Sequence, residues 1–211
     1  MTDDPLLAVA RQALLTEASA IRATAEELGP DFRKATDLLA ATSGRVMVTG
    51  LGKSGHIGRK MAATFSSTGT PAAYVHATEA LHGDSGMVQT GDVTIAISNS
   101  GATVEVVDFA AHLHARGIPI VAMTAGGAHS PLGLVSSVVL DTGVEREADP
   151  LGLAPTTSTT VTLSLGDALA AALMTLSAFT HSQFHSYHPG GSLGARLADH
   201  PTIADPEETT E

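Results

Sequence analysis

The stretch from Gly44 to Phe65, GRVMVTGLGKSGHIGRKMAATF, restricts the fold more than any other part of the chain. Val46, Met47 and Val48 read as a short apolar strand over Arg45–Thr49, which stops at Gly50. Gly50, Gly52 and Gly55 then let the backbone turn sharply and approach a ligand closely. Helix signals follow at once: Ile57, Met61 and Phe65 recur at helical spacing, Gly69 marks a stop, and Pro71 forbids continuation. A helix start fed by glycines presents unpaired N–H groups and the positive end of the helix dipole, which suits an anion. Lys53 adds a formal positive charge at the same place.

Spacing narrows the choice of anion. Gly50-x-Gly52-x-x-Gly55 matches the dinucleotide pattern, but around Ala72–Val75 no strand ends in the acidic residue that would hold a ribose. A nicotinamide enzyme is therefore disfavoured. Gly52-Lys53-Ser54 follows Gly50 after one residue, too small a loop to cradle a triphosphate. Taken alone, the segment leaves open a tight strand-to-helix turn with no ligand.

A second junction repeats the arrangement. Asp92–Ile97 reads as a buried strand running into Ser98-Asn99-Ser100-Gly101, and Val106, Phe109, Ala110 and Leu113 mark one face of the helix beyond. A third hydroxyl cluster, Thr156-Thr157-Ser158-Thr159-Thr160, opens an apolar helix through Val161, Leu165, Ala168, Leu169, Ala172 and Leu176. Ser, Thr and Asn cap helices without any ligand, but one cap needs one hydroxyl, not five.

The order of elements sets the architecture. Helices are expected near 5–28, 31–41, 56–68, 102–116, 129–135 and 157–180, and strands near 45–49, 72–75, 92–97, 118–123 and 137–140. Alternating strands and helices with near-continuous apolar strands imply a parallel sheet covered on both faces. Ligands of such sheets bind beyond the carboxyl ends of the strands, where Lys53, Ser98 and Ser100 fall.

Composition excludes several classes. With 211 residues and 43% hydrophobic content the chain can bury one core. A formal charge of −11 argues against nucleic acid as a partner, and the absence of cysteine excludes a disulfide framework and a thiol nucleophile. Polar residues break the apolar stretches before the ~18 residues needed to span a bilayer. Met1-Thr2-Asp3-Asp4 lacks a basic signal-peptide start, so no membrane association and a cytoplasmic location are expected.

Five stretches carry a family resemblance: GLGKSGHIGRKMAATFSSTGTP, LHGDSGM, SNSGATVE, PLGLAPTTSTT and HPGGSLGARL, spread from Gly44 to Leu197. Together they resemble the sugar isomerase (SIS) domain of bacterial arabinose-5-phosphate isomerases. PLGLAPT and HPGGSLG in this order are specific to that branch. The resemblance implies a three-layer αβα sandwich with a five-stranded parallel sheet, doubly wound in the flavodoxin-like manner. N-terminal helices would occupy 1–42, the SIS domain 43–200 and an acidic disordered tail 201–211. The implied activity is aldose–ketose isomerisation between D-arabinose 5-phosphate and D-ribulose 5-phosphate through an enediolate, with no organic cofactor. Another phosphosugar isomerase, for a hexulose or heptose phosphate, would use the same loops. A non-catalytic sugar-phosphate-binding SIS module, as in transcriptional regulators, would keep the loops without the acid–base residues.

The resemblance also distributes roles. Lys53, Glu105, Glu147 and His188 match the catalytic positions. Enediolate chemistry needs a base, an acid and a charge stabiliser. Lys53 would stabilise the enediolate oxygen or the phosphate, Glu147 would shuttle the proton, His188 would open the ring, and Glu105 would position or assist. Gly52, Ser54, Ser98, Asn99, Ser100, Thr156, Thr157, Ser158, Thr159 and His82 are the expected substrate and phosphate ligands. His82 is also the candidate for an inhibitory or adventitious zinc, and His181 and His185 share one helical spacing.

Three departures qualify the resemblance. The chain stops at Glu211, where such proteins commonly continue into two CBS modules, so the control those modules exert is expected to be absent. Ala102 stands after Gly101 where glutamate is usual, and Asp149 stands where cysteine is common. The first helix carries Leu7, Leu14, Ile21 and Leu28 at heptad spacing beside Ala10, Ala18 and Ala25. That seam fits either packing on its own domain or contact with another subunit. The resemblance implies a homotetramer or homodimer.

Overall fold

The computed structural model describes residues 4–188. The acidic tail and the motif beyond His188 lie outside the described residues. Five strands, β1 (Val46–Gly50), β2 (Ala72–Tyr74), β3 (Val93–Ile97), β4 (Ile120–Thr124) and β5 (Val138–Asp141), form one sheet in the order β2-β1-β3-β4-β5. Every pairing is parallel, with Val46 opposite both Ala72 and Val93, Thr94 opposite Ile120, and Val121 opposite Val138. The three central strands are buried throughout, which is why their sequences read as unbroken apolar runs.

Helices cover both faces. α1 (Pro5–Glu26), α2 (Pro30–Ala40), α3 (Gly52–Ser67) and α7 (Thr157–Leu176) lie on one side, where Leu39, Met61, Phe65, Val161, Leu165 and Leu169 pack on Val48, Ile95 and Met123. α4 (Ala77–Leu81), α5 (Val104–Ala115) and α6 (Pro131–Leu134) lie on the other, where Phe109, Leu113 and Leu132 pack on Met47, Ala96 and Ala122. α8 (His181–Tyr187) closes the described chain. Alternate residues of each strand therefore serve different cores, as the pleat requires. The expected three-layer sandwich is present, its strands within a few residues of their anticipated bounds.

Several elements differ from the sequence reading, among them α8, which follows the expected end of the α7 helix. α4 and the 3-10 turn Asp84–Met87 fill the stretch between β2 and β3, which was expected to lack helix. α7 is long and apolar enough to cross a membrane by length and composition. It packs against α1, α2 and α3, which accounts for its apolar character.

α1 resolves the question of its seam in part. Ala13, Thr16, Ala20 and Thr24 are its half-buried face, and the helix lies on α7. The leucine seam points elsewhere: Leu7, Leu14 and Leu28 are 62%, 69% and 45% exposed.

Candidate active site

The chain winds outward from β1 to β2, then crosses back to β3, so β1 and β3 are neighbours whose following helices lie on opposite faces. That switch point opens a crevice at the carboxyl ends of the two strands. α3 begins there with Gly52, Lys53 and Ser54, and its N-cap residue Leu51 offers no side-chain hydrogen bond. α5 begins there with Glu105 in its first turn, and its N-cap residue Thr103 offers none either. Two helix starts thus face the crevice without a side-chain cap, which leaves N–H donors for an external anion.

The β1–α3 turn is possible only because of its glycines. Gly52 sits at φ +54, the left-handed region that disfavours a side chain. Gly55 allows α3 to press onto the strand: a Cβ there would stand 2.7 Å from Tyr74 Oη and 2.9 Å from the Gly50 carbonyl oxygen. The Tyr74 hydroxyl donates to that same carbonyl at 2.6 Å, and the Arg59 guanidinium lies 4.1 Å over the Tyr74 ring. Burial outweighs the Arg59 charge and raises the Tyr74 pKa, keeping the hydroxyl a donor. Lys53 is exposed at the mouth of the crevice and makes no ion pair among the described residues.

The serine turn after β3 is partly occupied by its own contacts. The Ser98 hydroxyl is buried and lies 2.8 Å from the Thr103 hydroxyl, a pairing across the turn that the sequence did not announce. Asn99 and Ser100 are exposed. Ser100 Oγ accepts from Ala102 N at 3.2 Å.

Glu147 lies in the long loop between β5 and α7 and reaches the start of α7. Its Oε2 accepts from Thr156 N at 2.8 Å, Thr156 Oγ1 at 3.1 Å and Ser158 N at 3.2 Å, and its Oε1 accepts from Ser158 Oγ. Burial raises the Glu147 pKa, but the Ser158 hydroxyl and the Thr156 and Ser158 donors together outweigh it and hold the carboxyl below the usual carboxylate range. Thr159 Oγ1 donates to Thr156 O at 2.8 Å, and buried Thr157 Oγ1 has no partner among the described residues. Three of the four hydroxyls expected at the start of α7, those of Thr156, Ser158 and Thr159, are thus engaged inside the protein.

Asp149, the departure from the resembled pattern, organises the same loop. Its carboxylate accepts from Leu151 N at 2.9 Å, Leu153 N at 2.8 Å and Ala154 N at 2.9 Å, folding the PLGLAP segment around itself. Desolvation raises its pKa, but the backbone N–H donors of Leu151, Ala154, Leu153 and Gly152 together outweigh it and hold the carboxyl below its ordinary range. A cleft of about 500 Å3 separates this loop from α1, lined by Thr16, Glu27, Glu145, Arg146 and Thr157, with Arg146 Nη2 donating to Thr16 Oγ1 at 3.3 Å.

His188 caps α8, its ring stacked on Phe184 at 4.0 Å and Nδ1 2.8 Å from Phe184 O. Glu105 is half-buried, and His82 is exposed at the end of α4. No hydrogen bond or ion pair among the described residues joins any two of Lys53, Glu105, Glu147 and His188. The described residues include no group of three or more His, Cys, Asp or Glu able to hold a metal.

Residues 39–172 match the SIS domain family. The chain belongs to that family. Among its relatives, arabinose 5-phosphate isomerase KdsD of Pseudomonas aeruginosa is 50% identical over 188 residues, 89% of this chain and 57% of that protein. Arabinose 5-phosphate isomerase GutQ of Escherichia coli K12 is 49% identical over 194 residues, 92% of this chain and 60% of that protein. The SIS chain thus spans less than two thirds of the length of these relatives. A solved Escherichia coli CFT073 protein in complex with A5P is 41% identical, with a TM-score of 0.85 over 90% of this chain and 100% of that one.

Proposed function

We propose that this SIS domain interconverts D-arabinose 5-phosphate and D-ribulose 5-phosphate through an enediolate. The observation that carries the reading is the pair of uncapped helix starts at the β1–β3 switch, with Lys53 on the first and the exposed Ser100 in the turn before the second, together with a β5–α7 loop that presents a fixed carboxylate. The names of the relatives and the A5P-bound neighbour support the choice of sugar. The phosphate lies against the two helix starts, Glu147 moves the proton between the carbons, and Lys53 meets the charge that develops on oxygen. Because Lys53 supplies the cation, the reading calls for neither an organic cofactor nor a metal. His188 opens the sugar ring, and Glu105 assists from α5.

The working form is a homo-oligomer, a tetramer or dimer, in the cytoplasm. The exposed leucine seam of α1 supports the subunit contact. The test of the whole reading is a panel of pentose, hexose and heptose phosphates followed for aldose-to-ketose conversion, with deuterium exchange at C2 of arabinose 5-phosphate measured alongside. Conversion of arabinose 5-phosphate above the others, with solvent deuterium incorporated, is expected. Turnover of another sugar phosphate in preference, or no incorporation, overturns the substrate or the enediolate route respectively.

A further inference from the structure

The hydroxyls at the start of α7 surround a side chain of the protein itself. Ser158 is 2% exposed, and its single hydroxyl proton goes to Glu147 Oε1, so it has none to give a phosphate. Thr156 Oγ1 accepts from Ala148 N at 2.8 Å, which directs its own proton to Glu147 Oε2. The contacts are uneven. Oε2 receives the Thr156 hydroxyl and two backbone N–H groups, whereas Oε1 receives only Ser158. A carboxylate oxygen has two lone pairs, so Oε1 keeps one open for an incoming proton while Oε2 is anchored.

We propose that Thr156 and Ser158 are positioning residues that clamp Glu147 with Oε1 presented for proton transfer, and are not ligands of the substrate phosphate. The proposal rests on the assignment of Glu147 as the base. It divides the anion-holding helix starts by role: α3 and α5 keep theirs for the substrate, and α7 satisfies its own with the catalytic carboxylate. Other charged groups are placed apart from the clamp. Glu27 of α1 and Glu145 and Arg146 of the loop line the cleft behind Thr157, Asp149 is closed by its backbone donors, and Lys60 of α3 pairs with Asp167 of α7. None of them hydrogen-bonds Glu147.

The test compares wild type, Ser158→Ala, Thr156→Val and Thr156→Ser in kcat and KM against pH, with 13C NMR titration of the Glu147 carboxyl identified by its loss in Glu147→Gln. Removing a donor to the charged form raises a carboxyl pKa, so the acidic limb of kcat should move up by about one pH unit in Ser158→Ala and Thr156→Val. Thr156→Ser, which keeps the hydroxyl, should follow wild type. KM for arabinose 5-phosphate should change less than about threefold in all three, because the phosphate is held elsewhere. A tenfold rise in KM with an unmoved limb would make these hydroxyls phosphate ligands and overturn the proposal. An unmoved Glu147 titration in Ser158→Ala overturns the clamp by a readout independent of turnover. Turnover retained in Glu147→Gln overturns instead the base assignment beneath it.

Discussion

Gly55→Ala tests whether the crevice depends on the close approach of α3 to β1. The added methyl would stand 2.7 Å from Tyr74 Oη and 2.9 Å from the Gly50 carbonyl oxygen, short of ordinary contact at 3.4 Å by half an ångström or more. Tyr74 can swing away only by giving up its hydrogen bond to Gly50 O, and the carbonyl is backbone and cannot swing at all. Overpacking of this kind costs about 1–3 kcal/mol, and a lost hydrogen bond adds about 1 kcal/mol. Alanine returns about 1 kcal/mol through its higher helix propensity. The net loss of about 1–3 kcal/mol lowers Tm by about 3–10 °C in a chain of this size. The displacement also moves Gly52, Lys53 and Ser54, so affinity for arabinose 5-phosphate should fall by more than stability alone explains. The assay is thermal unfolding with and without the sugar phosphate, with Gly86→Ala as control, since a Cβ there meets nothing within 4 Å. A Gly55→Ala protein within about 1 °C of wild type, with unchanged KM, refutes the packing argument.

Other outcomes follow from the site. Lys53→Ala and His188→Ala should keep the fold while turnover falls by about 10²–10⁴-fold; near-normal turnover in either removes that residue from the chemistry. Free arabinose should be a very poor substrate and Ser100→Ala should raise KM more than it lowers kcat, because phosphate binding orients the reacting carbons; equal efficiency without the phosphate rejects the cradle. Glu147, whose pKa is lowered on folding, contributes stability that is fully present above the ordinary carboxyl value of 4.5 and lost as pH falls through the lower folded value. The Tm gap between wild type and Glu147→Gln should therefore be widest near neutrality and close below pH 4.5; a gap that stays constant into acid counts against an ionised Glu147 clamp. Leu14→Glu in the exposed α1 seam should shift the mass measured by light scattering toward the monomer, and an unchanged mass would place the subunit contact elsewhere.

Much of the architecture was legible because its signals are local. Apolar runs at 46–50, 93–97 and 120–124, glycines at the strand ends and hydroxyls at the helix starts are fixed by backbone geometry and burial, which act over a few residues. The sharp turn over Gly50–Gly55 likewise follows from its glycines, whereas the order β2-β1-β3-β4-β5, with its switch between β1 and β3, is set by how the strands pair in the folded sheet. The assignment of the α7 hydroxyls was not local. Thr156 and Ser158 look like a phosphate cradle in sequence, and only the return of the β5–α7 loop brings Glu147 into hydrogen-bonding distance of them. The same holds for Ser98 with Thr103, for Tyr74 on Gly50 and for the side of α1 that lies on α7. Sequence determined which residues carry donors and carboxylates. Tertiary structure decided which donors meet a carboxylate of the chain and which are left for a ligand, because that choice depends on how a long loop closes on a distant helix.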